Sequence, residues 1–110
     1  MTGIDIIAKE RKRQIEKEGF DAKHDSHHLD EELADAAASY AMSPMTRESI
    51  TSLVSSCEEL GIPPTWPFDY EWWKPSNDRI RELAKAGALI AAEIDRLLAI
   101  KEKKKNGKQN

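Results

Sequence analysis

The chain has 110 residues, of which 39% are hydrophobic and 34% are charged, as suits one small domain with a modest core. The net charge of −3 is unevenly distributed. Residues 101–110 carry +4, so residues 1–100 carry −7, from 12 basic and 19 acidic residues. This acidic body argues against a domain that binds nucleic acid through its phosphates, which usually presents a basic surface. It is compatible with a carboxylate-lined metal site.

Neither a membrane span nor a secretory signal is expected from the sequence. No apolar run approaches the roughly 18–20 residues of a membrane-spanning helix, and charges come too early in the first 13 residues for a signal peptide. The single cysteine, Cys57, cannot form an internal disulfide or anchor a cysteine-based zinc site. These features predict a reduced, soluble, cytoplasmic protein without membrane contact.

Apolar residues recur every three or four positions along most of the chain, which predicts an all-α fold of four helices. The predicted helices cover about 4–18, 30–42, 47–60 and 77–100. Thr2 with Asp5 resembles a capping box at the start of the first helix. Candidate N-caps of the later helices are polar residues that precede each apolar pattern: Asp30, Thr46, and Ser76 or Asn77.

Two segments near the end of the chain depart from the helical pattern. Residues 63–76 contain four of the five prolines and all three tryptophans, so they are predicted to form an irregular loop. The lysine-rich residues 101–110 are predicted to be a flexible tail. Residues 1–100 then form a single helical domain.

The second and last helices carry the clearest packing patterns. Small residues on the second helix allow a close neighbour: Leu33, Ala34, Ala37, Ala38 and Ala41. The last helix has apolar residues at the helical period: Ile80, Leu83, Ala84, Gly87, Ile90, Ala91, Ile94, Leu97 and Leu98. We expect these two helices to pack through their alanine-rich faces. Short helices and exposed apolar positions favour a homodimer or a higher homo-oligomer, most simply a two-fold dimer.

Two groups of acidic residues have spacings that bring them to one side of a predicted helix. The second helix opens with Glu31, Glu32 and Asp35. The last helix carries Asp78 and Glu82, followed one turn later by Lys85. Carboxylates arranged in this way can bind a hard cation such as Mg²⁺. They can equally complement the helix dipole at an N-terminus or form surface ion pairs.

Basic and aromatic residues near these acids are candidates for substrate contact. His24 and His28, in the loop before the second helix, can bind a metal or a phosphate, or simply face solvent. Arg11 lies near the apolar edge of the first helix and can reach a phosphate or pair with an acid. Trp72 and Trp73 are adjacent, so their rings point in different directions. Such rings can stack on a base or pack into a core or an interface.

A resemblance to a known family is carried by three stretches: ERKRQIEKEGF with the loop HDSHH, DEELADAAASYA, and WWKPSNDRIRELAKAGALIAAEIDRL. Together they resemble small phage and prophage proteins related to the MazG-like pyrophosphohydrolases, over about residues 8–98. The resemblance implies an all-α, oligomeric protein in the host cytoplasm. It also implies that acids on two facing helices bind Mg²⁺, or Mn²⁺ in its place. The metal holds a nucleoside triphosphate, which water converts to the nucleoside monophosphate and pyrophosphate.

The resemblance implies roles for particular residues. The first acidic motif is Glu32-Leu-Ala-Asp35, with Glu31 as an extra acid, and the second is Glu82-Leu-Ala-Lys85. Glu31 and Glu32 would be catalytic. The implied metal ligands are Glu31, Glu32, Asp35 and Glu82, with Asp78 as a substitute. The implied nucleotide contacts are Lys85, Arg11, His24, His28, Trp72 and Trp73.

The sequence also departs from the family at one motif position. Lys85 stands where the family has an aspartate, so it can hold a phosphate oxygen as a point charge or leave the site without metal. A protein of another class is therefore a second hypothesis: an inactive phage accessory protein that binds a host protein through its aromatic segment. Nucleic-acid binding through the lysine-rich end is a weaker hypothesis, because the body carries −7.

Overall fold

The computed structural model describes residues 1–18 and 31–108, and across these residues it is α-helical with no β-strand. The helices are α1 (Gly3–Glu18), α2 (Glu32–Ala41), α3 (Pro44–Thr51), α4 (Ser55–Leu60) and α5 (Arg79–Lys108). A single 3₁₀ turn, Tyr70–Trp72, lies in the proline- and tryptophan-rich segment. The predicted all-α class is confirmed.

The first helix begins as the sequence predicts. The Asp5 side chain accepts a hydrogen bond from the Thr2 backbone N–H at 2.9 Å, and the Thr2 hydroxyl accepts one from the Asp5 N–H at 3.3 Å. This reciprocal pair is a capping box, which satisfies N–H groups that the first turn leaves without an intrahelical partner.

The prediction of one continuous helix over 47–60 is wrong. Two helices, α3 and α4, cover this region and are separated by residues 52–54. The N-cap of α3 is Ser43 rather than Thr46, because Pro44 suits the first helical position and the Ser43 hydroxyl accepts from the Thr46 N–H. Hydroxyls near the break bond back to carbonyls four residues earlier, as Thr51 does to Arg47 at 2.6 Å, and such bonds compete with a regular helix.

The last helix differs from the prediction at both ends. It begins at Arg79, and its N-cap is Asp78, whose Oδ1 accepts from the Ile80 N–H at 3.0 Å. It continues to Lys108, eight residues beyond the predicted end at 100. The lysine-rich segment is thus helical over most of its length. The flexibility proposed for this segment stays a prediction.

The core lies between α2 and α5, which run antiparallel. An Arg79 guanidinium at the start of α5 donates to the Tyr40 carbonyl near the end of α2, at 2.9 Å. The buried core consists of Leu33, Ala36, Ala37, Tyr40, Ala86, Leu89 and Ala92, with Trp66, Phe68 and Trp73 packed against it. The expected packing of these two helices is confirmed, but the predicted faces are wrong in part. Ala38 and Ala41 are exposed, and none of the α5 residues in this core belongs to its predicted apolar pattern.

The larger apolar residues of α5 are oriented away from this core. Ile80, Ile90 and Ile94 are 64%, 48% and 52% exposed, whereas Ala88 and Ala92 are fully buried. Helix α1 also packs on α5: an added Cβ at Gly87 would lie 2.5 Å from the Ile7 Cδ1 atom. The core of this chain is therefore built mainly on alanine.

Candidate functional site

Two groups of buried charged residues lie along α5, one near its start and one near its middle. The Glu82 cluster consists of Glu82, Arg47, Arg79 and the Ser76 backbone, near the start of the helix. The α1–α5 cluster is the set of buried polar residues on α1 and at the middle of α5, which the Arg11–Asp95 pair connects: Glu10, Arg11, Gln14, Glu93 and Arg96. Charged side chains are rarely buried unless they are paired, so each cluster needs an explanation.

Both oxygens of the buried Glu82 carboxylate accept hydrogen bonds. Oε2 accepts from Arg47 Nη2 at 2.9 Å and from the Ser76 N–H at 3.1 Å, and Oε1 accepts from Arg79 Nη1 at 3.1 Å. Burial alone would raise the pKa of Glu82. The Ser76 N–H and the charges and hydrogen bonds of the two arginines outweigh it and hold this pKa below its ordinary value. This carboxylate joins α3, α5 and the segment before α5.

Lys85, one turn after Glu82, connects the proline- and tryptophan-rich segment to α2 and α5. Its ammonium donates to the Lys74 carbonyl at 2.7 Å and lies 5.3 Å from the centre of the Tyr40 ring. Only 9% of the residue is exposed. Lys85 thus ties the proline- and tryptophan-rich segment to the α2–α5 core.

The Glu82 cluster borders a cavity of about 290 Å³. Its lining residues are Pro44, Arg47, Pro75, Ser76, Asn77, Arg79 and Glu82. The arginines are already engaged: Arg47 also donates to the Ser39 carbonyl, and Arg79 to the carbonyls of Tyr40 and Ala41. Asp78 caps α5 through Oδ1, as described above. These contacts support a structural role for this end of α5.

The α1–α5 cluster pairs acids with arginines within each helix. Arg13 donates to both oxygens of Glu10, at 2.8 and 2.7 Å, and Arg96 donates to both oxygens of Glu93, at 2.6 and 2.9 Å. Burial alone would raise the pKa of Glu10. The hydrogen bonds and charge of Arg13 outweigh it and lower this pKa. Between the helices, Arg11 donates to Asp95 at 3.2 Å.

The first turn of α2 approaches this cluster. The hydrogen bonds from Arg96 to Glu93 are the main cause of the raised pKa of Arg96, and the negative charges of Glu31 and Glu32 add to it. Glu32 is half-buried, while Glu31 is exposed. Glu31 also has a left-handed backbone, with φ 60° and ψ 30°, which is uncommon for a residue other than glycine. Charged groups of α2 and α5 therefore meet near the start of α2, while Arg11 of α1 pairs with Asp95, the residue before Arg96.

The two predicted acidic motifs are not brought together. Glu31 and Glu32 are near Arg96, and Arg96 is 14 residues beyond Glu82 on the same helix. At 1.5 Å per residue, Glu82 and Arg96 are about 21 Å apart along α5. Asp35, one turn after Glu32, is exposed on α2. The α2 acids and Glu82 therefore belong to different parts of the molecule.

The adjacent tryptophans point in different directions, as the sequence predicts. Trp73 stacks on Tyr40 with ring centres 4.7 Å apart, whereas Trp72 is 52% exposed, with the Lys74 ammonium 5.8 Å from its ring. Tyr40 lies eight residues after Glu32, or about 12 Å along α2. The core role is confirmed for Trp73, and the tryptophans lie toward the other end of α2 from its acids.

His24 and His28 lie outside the described residues. Within 1–18 and 31–108, no group of three or more histidine, cysteine, aspartate or glutamate residues is arranged to hold a metal ion. Over the same part of the chain, no helix is both long enough and apolar enough to cross a membrane.

Sequence analysis did not select Glu10, Glu93, Arg96 or Arg47. Glu10 with Arg13 and Glu93 with Arg96 are three residues apart, a spacing that usually indicates exposed ion pairs. Their burial depends on how α1 and α2 pack on α5. The partnership of Arg47 with Glu82 spans 35 residues and leaves no local pattern in the sequence.

Comparisons of the chain with protein-family models, with curated proteins and with solved structures found no match.

Proposed function

We propose that this chain binds nucleoside triphosphates together with Mg²⁺ and hydrolyses them to the nucleoside monophosphate and pyrophosphate. One observation carries the proposal: the buried Arg96 of α5 lies within electrostatic reach of Glu31 and Glu32 at the start of α2. Arg11 on α1 donates to Asp95, and the next residue, Arg96, is within electrostatic reach of Glu31 and Glu32. Such groupings in a small protein are typical of sites that handle charged ligands. The likeness to MazG-like proteins supports the same conclusion.

The α2 acids have the donor atoms that Mg²⁺ requires. Glu31, Glu32 and Asp35 offer carboxylate oxygens within one helical turn, and Mg²⁺ is bound in proteins through oxygen. Glu82 does not fit a ligand position, because both of its oxygens already accept hydrogen bonds. The cap formed by Asp78 likewise occupies one of its oxygens. The proposed ligands are therefore the three α2 acids, which also suit Mn²⁺. Their side chains are not grouped around a common point in the structure, so binding of the ion would have to draw them together.

Residues of the chain would supply binding and charge neutralisation around the triphosphate. Bound Mg²⁺ would polarise the phosphates and lower the pKa of the attacking water. Arg96 is a fixed positive charge within electrostatic reach of Glu31 and Glu32, and it would offset part of the phosphate charge. Lys85 does not suit this role, because its ammonium bonds to the Lys74 carbonyl and lies beside Tyr40, at the other end of α2 from the acids.

The direct test is pyrophosphate release from a panel of ribo- and deoxyribonucleoside triphosphates, with and without Mg²⁺ or Mn²⁺. We expect metal-dependent release that Glu32→Gln reduces at least about 10-fold, since even outer-shell changes at metal sites cost 10–100-fold. Glu48→Gln is the matched control, because Glu48 is an exposed acid on α3. No release from folded protein, or equal rates in the two variants, would contradict the proposal.

The exposed aromatic residues favour a second candidate, an accessory protein that binds a host protein. Tyr70 and Trp72 are 67% and 52% exposed, and tyrosine and tryptophan are enriched among residues that dominate binding energy. This candidate predicts a stoichiometric complex from host lysate that Trp72→Ala abolishes. The same complex should survive Met45→Ala, which changes a residue that is 79% exposed on α3. Absence of any stoichiometric partner would count against it.

A further inference from the structure

The amide of Gln14, on α1, has one buried atom that the described part of the chain does not satisfy. Gln14 is 3% exposed, and its Nε2 donates to Glu10 Oε2 at 3.4 Å. Its Oε1 is buried and has no hydrogen-bond partner within residues 1–18 and 31–108. Most buried polar atoms of side chains are hydrogen-bonded, because an unpaired one is unfavourable. This oxygen is therefore a candidate for contact with a ligand.

The neighbour of the amide determines which atom is unpaired. An ionised carboxylate only accepts hydrogen bonds, so the NH₂ group of Gln14 must face Glu10 and the oxygen must face away. The opposite orientation would place two acceptors against each other. The group that fits beside Gln14 Oε1 is therefore a hydrogen-bond donor.

The charges around the amide favour a donor without charge. Both oxygens of Glu10 accept from Arg13, at 2.8 and 2.7 Å, and this pairing offsets the negative charge of Glu10. Arg11, one turn before Gln14, is paired with Asp95. No excess negative charge on these residues attracts a cation, so a neutral N–H or O–H group fits better than an ammonium group or a metal ion.

A short series of contacts connects Gln14 with the proposed metal ligands. Gln14 lies on the same side of α1 as Arg11 and about 4.5 Å further along the helix. Arg11 bonds to Asp95 on α5, and the next residue, Arg96, is within electrostatic reach of the first acids of α2. A nucleoside triphosphate held there by its phosphates has its uncharged donors at the nucleoside end.

We propose that Gln14 Oε1 accepts a hydrogen bond from the nucleoside of the bound triphosphate, from an amino group of the base or a hydroxyl group of the sugar. This inference rests on the proposed function, because it takes the phosphates to be held near the α2 acids and Arg96. Gln14 is then a determinant of substrate choice. A nucleotide without the donor leaves the oxygen buried and unpaired, and sites of this kind reject such analogues strongly.

The test is kcat/KM for pyrophosphate release with pairs of nucleotides that differ by one donor. The base pairs are ATP with purine riboside triphosphate and GTP with inosine triphosphate. The sugar pairs are each ribonucleotide with its 2′-deoxy form, and each 2′-deoxy form with its 2′,3′-dideoxy form. We expect the donor-bearing member of one pair to be preferred at least about 10-fold. The pair that shows this preference identifies the donor as an amino or a hydroxyl group.

Gln14→Met keeps the length of the side chain and removes the acceptor. We expect it to reduce the preference to less than about 3-fold, chiefly by lowering kcat/KM for the donor-bearing nucleotide. Lys9→Met is the matched control, because it introduces the same residue at an exposed position of α1 and should keep the full preference. The unfolding temperature of both variants should stay within about 5 °C of the wild-type value.

Three results overturn the role of Gln14 and leave the proposed function standing. They are metal-dependent release without preference in any pair, a preference that Gln14→Met retains, and an equal loss for all nucleotides with a large drop in unfolding temperature. If nucleotides bind without turnover, the proposed hydrolysis fails, and the same preference in Kd from titration calorimetry decides the role of Gln14. A wild-type chain that neither hydrolyses nor binds any of these nucleotides contradicts both proposals.

Discussion

Glu82 holds three parts of the chain through one carboxylate. Its oxygens accept from Arg47 on α3, from Arg79 on α5 and from the backbone before α5, and only 1% of the residue is exposed. A buried carboxylate with this many donors is stable as an anion, whereas the same side chain without partners would be strongly unfavourable. Its contribution is therefore to tertiary structure.

We expect Glu82→Ala to lower the free energy of unfolding by about 3 kcal/mol, because it leaves a largely buried arginine without its partner. Urea denaturation followed by tryptophan fluorescence measures this change. Glu48→Ala removes an exposed acid from α3 and should change stability by less than about 0.5 kcal/mol. Equal stability of the two variants would contradict the structural role of Glu82.

Glu31 offers a separate test of backbone strain and carboxylate chemistry. Its φ of 60° costs a non-glycine residue roughly 1 kcal/mol. Glu31→Gly should therefore raise the free energy of unfolding by up to about 1 kcal/mol, whereas Glu31→Gln should leave it nearly unchanged. Under the proposed function, both variants lose metal-dependent activity. A destabilised glycine variant would show that the strain is absent.

The first turn of α2 illustrates what can be predicted at the residue scale. The local sequence indicates that Glu32 and Asp35 lie on one helix face, since they are three residues apart, whereas Glu31 precedes the helix. No local pattern indicates that Glu82 pairs with Arg47, because that contact depends on where the chain returns after 35 residues. The sequence therefore indicates where the acids of α2 and Glu82 lie along the chain. It does not indicate that the partners of Glu82 are arginines.

At the scale of helices, the contact between α1 and α5 depends on one glycine. A methyl group at position 87 would lie 2.5 Å from Ile7 Cδ1 and 2.8 Å from its Cγ1, closer than van der Waals contact permits. Glycine is otherwise unfavourable in a helix interior, by about 1 kcal/mol relative to alanine. The close approach of Ile7 explains why this helix carries it.

We expect Gly87→Ala to destabilise the protein by about 1 kcal/mol, because overpacking costs roughly 1–3 kcal/mol and the gain in helix propensity offsets part of it. In an Ile7→Ala background, the same change should become neutral or stabilising. A double-mutant cycle measured by thermal unfolding gives the coupling between the two positions. Zero coupling would mean that Ile7 does not pack on Gly87.

Lys85 joins the proline- and tryptophan-rich segment to the helices. We expect Lys85→Asp to lower the free energy of unfolding by at least about 2 kcal/mol, since the Lys74 carbonyl loses its partner and a second acid appears near Glu82. We also expect it to create no Mg²⁺ site at Glu82. Urea unfolding and Mg²⁺ titration calorimetry measure the two effects.

Lys85→Met, which keeps the apolar stem, should be less destabilising. Tight Mg²⁺ binding in the aspartate variant would contradict this view.

For the whole molecule, the depressed pKa values of Glu10 and Glu82 predict sensitivity to acid. The unfolded chain takes up protons first, near the ordinary glutamate pKa of about 4.3, while the folded carboxylates stay ionised. The stabilisation of the folded state by these two ionised carboxylates is therefore fully present above this pH. It is lost as the pH falls through the lower pKa values of the folded state.

We expect the free energy of unfolding to decline below about pH 4.5 in a series of denaturation experiments. In Glu82→Gln the decline should be shallower. Stability that rises on acidification would contradict the prediction.

The distribution of apolar surface also belongs to the whole molecule. Alanines fill most of the α2–α5 contact, while Ile80, Leu83, Ile90, Ile94 and Leu97 of α5 lie outside it. A small domain with this distribution buries little of its larger apolar surface within one chain. The homo-oligomer expected from the sequence stays a prediction.

The sequence by itself determined the helical class, the capping box at Thr2 and Asp5, and the pairing of α2 with α5. Each depends on residues within one or two helical turns, where periodicity and capping are strong. Only the tertiary structure decided that Glu82 binds arginines, that Lys85 holds the tryptophan segment, and that the larger apolar residues of α5 face outward. Those outcomes depend on which helix lies against which face of α5, and contacts between residues distant in the chain determine that packing.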